Sequence, residues 1–236
     1  MPDDALGTAM WDFLHGEYDG SCVHVDPETG ETWDANVEQF YFAPYARWPA
    51  ETRAFVDGLA TPLLDVGCGA GNYARVVSLR GRVAAFDASP LAVRTARARG
   101  VDAFVADMFD PPVRESRFET ALVNGTQATL ARSDAELRDF LRELARVTTA
   151  TGEARVDSYD PERVGESHGH APTEADGVGR RRFRVEYRKR DLVGPRLEFR
   201  TVSPARLRAV CEETPWTVAE TTYPGEFGYY RARLEK

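Results

Sequence analysis

A chain of 236 residues with 42% hydrophobic and 29% charged residues reads as one folded globular domain with additions, long enough to bury a sizeable core. No apolar run approaches the length that crosses a bilayer, and a net charge of −8 disfavours non-specific attraction to nucleic acid or anionic lipid. Cys22, Cys68 and Cys211 are too few and too scattered for a disulfide framework, and no C-x-x-C pair points to a metal.

The N-terminus opens with acids and lacks the basic-then-apolar order of a leader peptide, so a cytoplasmic protein is expected. A helix is expected over residues 3–14, then two short strands around the Asp-Pro-Glu-Thr-Gly turn in CVHVDPETGETWDAN, then the aromatic segment FYFAPYARW. From residue 61 onward, short apolar runs alternate with helical patterns. PLLDV precedes a helix over 73–80, RVAAFD one over 90–99, DAFVAD stands between, and TALVN precedes a helix over 134–147 that leads to EARVDS. This alternation predicts an α/β fold with a doubly wound, mostly parallel sheet, whose ligands bind at the carboxyl ends of the strands.

Residues 160–179 are polar and dotted with glycine, and are expected to form an irregular excursion. Two alternating strands follow over 180–202, with a turn at Val193-Gly194-Pro195, then a helix after Ser203 and two final strands, WTVAETTY and GYYRARLEK. The domain reading is a 1–60 extension or lid and a 61–236 ligand-binding domain carrying an insertion at about 159–202.

The stretch LLDVGCGAGN is the most informative. Gly67, Gly69 and Gly71 follow Asp65 at a strand end, where glycine permits positive φ and close approach of a ligand to the backbone. The dinucleotide fingerprint wants its third glycine at position 72, where Asn72 stands. The spacing is instead G-x-G-x-G.

In DVGCGAG the chain resembles the class I S-adenosylmethionine-dependent methyltransferases, and the resemblance runs in order over residues 63–158. It implies a Rossmann-like, seven-stranded sheet with S-adenosylmethionine as cofactor. Under it, Asp65, Gly67, Cys68, Gly69 and Gly71 form the loop against the amino-acid end, and Asp87 in VAAFDASP, followed by Ala88, holds the ribose hydroxyls. Asp107 accepts the adenine amino group beside the Met108 amide, while Asn124 and Gly125 in LVNGTQ face the methionine end. The family's Pro-Gly turn after the fourth helix is altered, with Thr151 in place of proline. The Cys68 thiol is read as a space-filler, because no partner is identifiable to lower its pKa.

A sulfonium-borne methyl is already activated, so the protein chiefly aligns the acceptor and excludes water. If the acceptor needs a general base, the candidates are His168, His170 and Tyr41, with His15 a further histidine near the N-terminus. Trp11, Tyr41, Phe42 and Tyr45 are lid candidates. RRRFRVEYRKR holds seven basic residues in eleven, but as a strand it places Phe183, Val185 and Tyr187 on one face. Arg182, Arg184, Glu186, Arg188 and Arg190 form the other, a solvated hairpin face. The DPP at Asp110–Pro112 follows the third strand rather than the fourth and is set aside as a DNA-amino-methylating motif.

The expected partner is a small-molecule methyl acceptor, anionic in one version, with arginines such as Arg182 at the pocket mouth. No membrane or nucleic-acid partner is expected, and oligomeric state is open. The competing readings are an RNA or protein methyltransferase, an NAD-binding Rossmann oxidoreductase and a non-catalytic cofactor-binding protein.

Overall fold

Asp4 accepts the Gly7 N–H at 3.0 Å and thereby caps α1 (Ala5–Leu14). The computed structural model describes residues 3–166, 168–225 and 227–236. β1 (Cys22–Val25) and β2 (Thr32–Asp34) form the expected antiparallel pair, with Asp26 Oδ1 accepting the Glu28 and Thr29 N–H groups in the turn. A π-helical turn (Glu38–Phe42) and α2 (Ala50–Asp57) then lead into the core.

The strand–helix alternation follows as β3 (Leu63–Val66), α3 (Asn72–Val77), β4 (Val83–Asp87), α4 (Pro90–Ala98), β5 (Ala103–Val105), β6 (Phe118–Val123), α5 (Asp134–Val147) and β7 (Thr148–Tyr159). After β8 (His170–Ala175), β9 (Val178–Tyr187) and β10 (Leu192–Val202), the chain closes with α6 (Pro204–Cys211), β11 (Thr217–Thr222) and β12 (Tyr229–Glu235). Seven strands make the first sheet, in the order β5-β4-β3-β6-β7-β12-β11. β3 runs parallel to β4 and β6, and β12 runs antiparallel to β7. All four β3 residues are buried, as a strand covered on both faces requires. Ser133 caps α5, whose Leu137, Phe140, Leu141, Leu144 and Val147 recur at helical spacing and seal one face. The strand order reverses between β3 and β6, so the switch point lies at their carboxyl ends.

The second sheet draws on both ends of the domain reading. Its path is β10-β9-β1-β2, with β8 paired to the Val178–Arg181 end of β9, and β1 joins β9 through His24↔Val185 and Val25↔Arg184. Its inner face, with Phe183, Val185, Tyr187 and Phe199, packs on Ala5, Ala9 and Met10 of α1. The N-terminal segment and the insertion are therefore one layer over the strand ends.

Three local expectations are corrected. The excursion is not wholly irregular, because residues 170–175 form β8. The hairpin between β9 and β10 turns at Arg188–Arg190, closed by Asp191 at φ +51°, rather than at Val193-Gly194-Pro195. Arg190 reaches Asp12 at 2.9 Å and anchors that turn to α1, while proline, having no N–H for the ladder, sits in a bulge between Val193 and Arg196. The turn around Thr151 lies inside β7 as a register irregularity opposite Phe118 and Thr120. A Cβ on Gly152 would stand 3.0 Å from Phe118 O, so glycine is what the fold-back demands.

Candidate functional site

The loop after β3 is tied down by Gly67 and Cys68, whose N–H groups both donate to Phe86 O, at 2.9 and 3.0 Å. Its three glycines do different work. Gly71, at φ +70°, turns its absent Cβ toward Val101 and Ala96, so it seats the loop against the protein behind it. Gly69, at φ +54°, lies under the Tyr41 ring, 2.9 Å from where a Cβ would stand, and Gly67 lies equally close to Gln127. These two face side chains of other elements rather than the protein behind the loop. The Cys68 thiol is pushed up by burial and by Asp65 and Asp87, which makes it inert.

The acids at the strand ends stand in sequence order. Asp87 Oδ2 accepts the Gly69 N–H at 2.9 Å and Oδ1 the Ser89 N–H at 2.8 Å, leaving each oxygen a further lone pair. Burial raises its pKa, with Asp4 adding to the effect. Asp4 also accepts the Ser89 hydroxyl at 2.5 Å, which ties α1 to the first turn of α4 across exposed Ala88. Asp65, beneath the loop, is buried and its carboxyl is pushed up to about 7 by desolvation and by Asp87. Asp107 is exposed, with Oδ1 accepting the Phe109 N–H at 3.0 Å, while Met108 packs against the core.

At the end of β6, Asn124 and Gly125 are organised by an acid that the sequence reading left unassigned. Asp157 on β7 accepts the Gly125 N–H at 2.7 Å, the Thr126 N–H and the Tyr229 hydroxyl, and burial raises its pKa. The Asn124 amide fits its neighbours with its nitrogen toward Asp157 Oδ2, at 3.3 Å, and its oxygen on the Gly125 N–H. An acid closing the alternation in EARVDS was the available signal.

A second unassigned residue ties the π-helical turn to the glycine loop. Arg99, just after α4, donates through Nη1 to Tyr41 O at 2.7 Å and Ala70 O at 2.6 Å, and through Nη2 to Asn72 Oδ1 at 3.0 Å. Its guanidinium also stands 4.6 Å from the centre of the Phe42 ring. Asn72 in turn donates to Ala43 O at 3.3 Å. The π-helical turn is thus bolted to the glycine loop, with the Tyr41 phenol kept neutral by burial and by Asp87. Trp11 and Tyr45 lie elsewhere: Trp11 carries the Arg94 guanidinium 4.0 Å from its ring centre, and Tyr45 donates to Asp57.

The histidine candidates divide. His15 is exposed at the end of α1, with Nδ1 on Trp11 O at 2.8 Å, and belongs to no cleft. His170 lies across from Arg181 in the β8–β9 pairing and packs edge-on against Tyr159, 4.7 Å between centres. His168 stands at φ +52°, 5.5 Å from the Trp33 ring, which neighbours His24. The inner face of the second sheet so collects His24, His168, His170 and Arg181 opposite Tyr159. Tyr159 meets Tyr229, the partner of Asp157, at 5.5 Å. Desolvation, with the charge of Arg181, pushes His170 down to about 3 and His24 to about 4, so both imidazoles are neutral. Arg182 is corrected: it lies on the outer face, paired with Glu28.

A wider groove of about 530 Å³ lies between α2 and β11–β12, lined by Phe55, Arg155, Glu220 and Arg233 among others. None of its lining residues belongs to the glycine loop or to the ends of β4–β6, so it is separate from that loop.

Residues 63–152 match a family model described as a methyltransferase domain. The fold is shared with an S-adenosylmethionine-dependent methyltransferase from Bacteroides fragilis in complex with S-adenosyl-L-homocysteine, with a TM-score of 0.80 over 98% of this chain and 94% of that one, at 23% identity. The CcbJ methyltransferase from Streptomyces caelestis superposes with a TM-score of 0.63 over 81% of this chain and 94% of its own, at 15% identity. For the 1,6-didemethyltoxoflavin-N1-methyltransferase of Burkholderia thailandensis the TM-score is 0.52, covering 74% and 70% at 16% identity. A comparison with curated proteins found no match.

Proposed function

We propose that the chain is a class I S-adenosylmethionine-dependent methyltransferase and that it methylates a small molecule held between the second sheet and the ends of β6 and β7; the methyltransferase-domain match over residues 63–152 and the shared fold support the reading. The residues at the strand ends fit the cofactor. The free lone pairs of Asp87 suit a ribose diol, the unfilled oxygen of Asp107 suits the adenine amino group beside Met108, and Asp65 with the Gly67–Gly69 backbone suits an ammonium-bearing amino-acid tail. Asn124 and Gly125 face the same tail from β6. S-adenosylmethionine supplies a methyl group already activated on a sulfonium.

What remains for this chain is binding, alignment and exclusion of water. Tyr41, held by Arg99 over Gly69, excludes water from the cofactor. As a neutral phenol it closes the site in this reading and does not abstract a proton. His170, with His168 beside it, faces the acceptor cleft as a neutral imidazole and is assigned as the hydrogen-bond acceptor that orients the O–H or N–H of the acceptor, since a group held at about 3 is too weak a base to carry the proton away at neutral pH.

The observation that carries the small-molecule reading is the pairing of the outer arginines. Arg184 meets Glu186 at 2.7 Å, Arg180 meets Glu198 at 3.2 Å, Arg196 meets Glu28 at 3.2 Å and Arg190 meets both Asp12 and Glu17. A stripe already neutralised by its own acids has little left for phosphates. The 1,6-didemethyltoxoflavin-N1-methyltransferase, which shares the fold, has the small molecule 1,6-didemethyltoxoflavin bound. Incubation with methyl-labelled S-adenosylmethionine and a cell extract separated into metabolite, RNA and protein fractions tests the reading. Label in the metabolite fraction supports it; label confined to RNA or protein refutes it.

A further inference from the structure

Among the arginines of RRRFRVEYRKR, Arg181 is the exception. Strand alternation puts it on the inner face with Phe183, where it is half-buried and its pKa is lowered by desolvation. Its Nε donates to His168 O at 3.1 Å, and its guanidinium stands 4.7 and 5.4 Å from the centres of the Phe183 and Tyr159 rings. No carboxylate among the described residues comes within ion-pair distance, and its Nη groups find no acceptor there. A cation drawn out of water without an anion is costly, and proteins retain one where a ligand completes it. The same wall holds Trp33 Nε1, a buried donor that also lacks a partner among the described residues.

Resting on the methyltransferase reading above, we propose that Arg181 is the anion-binding residue of the acceptor pocket and that the acceptor is a small, flat monocarboxylate. The guanidinium fork matches a carboxylate through two parallel hydrogen bonds. One cation balances one negative charge, whereas a phosphate dianion would leave excess charge among neutral imidazoles and aromatic rings. The rings of Tyr159, Phe183 and Trp33 supply flat apolar walls for the body of the molecule. His170, across from Arg181, is then beside the bound acceptor.

The test uses the whole protein saturated with S-adenosylhomocysteine and matched probes, benzoate and indole-3-carboxylate against their primary amides, with binding followed by ligand-observed NMR. S-adenosylhomocysteine affinity is measured separately by calorimetry, so a failure of the methyltransferase reading shows there and not in the probe comparison. The carboxylates are expected to bind at least tenfold more tightly than the amides. Arg181→Gln should weaken them roughly ten- to a hundredfold, the span of a charge-assisted hydrogen-bond pair, with cofactor affinity unchanged. Arg181→Met should abolish carboxylate binding and raise Tm, because it removes an uncompensated desolvated charge; a structural arginine would lower Tm instead. Equal binding of acid and amide, no carboxylate binding at all, or Arg181→Gln binding carboxylates normally overturns the proposal.

Discussion

Replacing Arg99 with methionine keeps an apolar stem against Phe42 and deletes three hydrogen bonds, to Tyr41 O, Ala70 O and Asn72 Oδ1. Bonds from a charged donor contribute about 1.5–3 kcal/mol each, or roughly 5–9 for three. Against this stands partial burial of the guanidinium, which together with Arg75 holds its pKa down to about 10, and the solvent it still meets screens both terms. A net loss of about 2–4 kcal/mol in lid closure follows, on the order of 30- to 1000-fold in the ratio of closed to open lid. Because Tyr41 covers Gly69 only while the lid is closed, S-adenosylhomocysteine affinity should fall with it. Hydrogen exchange followed by mass spectrometry on the peptide spanning residues 36–48 is the assay, with circular dichroism confirming the fold. Exchange within twofold of the parent, in a variant that binds the cofactor normally, would refute Arg99 as the bolt of the lid.

Asp65 makes the site pH-dependent. With its carboxyl at about 7, S-adenosylhomocysteine affinity should rise by up to tenfold per pH unit from pH 5.5 toward 7 and then level off, since the ammonium wants the ionised form; Asp65→Asn should flatten the profile. A folded-state pKa raised above the unfolded value of 3.8 gives stability that is fully present below 3.8 and lost as pH climbs from there through about 7, so Asp65→Asn should raise Tm at pH 8 and scarcely change it below pH 3.8. Asp157→Ala strands the Gly125 and Thr126 N–H groups and the Tyr229 hydroxyl, and denaturant unfolding should show a loss of about 3–5 kcal/mol. Gly69→Ala, with φ +54° and Tyr41 2.9 Å from the new Cβ, should lower calorimetric S-adenosylhomocysteine affinity at least tenfold, with about 1–2 kcal/mol of backbone strain.

The cofactor half of the proposed site was legible because it is local in sequence. A glycine loop and two acids at successive strand ends fall at spacings that strand–helix alternation dictates, and Asp87 accepts from Gly69 across only 18 residues. Gly71 was assigned to the loop through the family resemblance, and the place of its absent Cβ against Val101 and Ala96 could not be read from the motif. The acceptor half depends on contacts that no spacing encodes. Pairing of β1 with β9 joins residues some 160 positions apart, and Arg99 meets Tyr41 58 residues back. Arg181 was hidden for a different reason. Alternation counted from Phe183 puts it inside, but its neighbours are solvated, and a charge in a charged run attracts no notice. The hairpin turn was placed at Gly-Pro by local preference, whereas the Arg190–Asp12 pair decides it through the packing of α1.

Calorimetric titration of the wild type and Asp87→Ala with S-adenosylhomocysteine and with NAD tests most directly whether the loop after β3 is the cofactor site. One S-adenosylhomocysteine bound per chain, no measurable NAD binding and a roughly ten- to a hundredfold weaker Asp87→Ala are expected, since bonds to a charged acceptor contribute about 1.5–3 kcal/mol. NAD bound more tightly than S-adenosylhomocysteine, or a folded Asp87→Ala that binds S-adenosylhomocysteine as well as the parent, would contradict it.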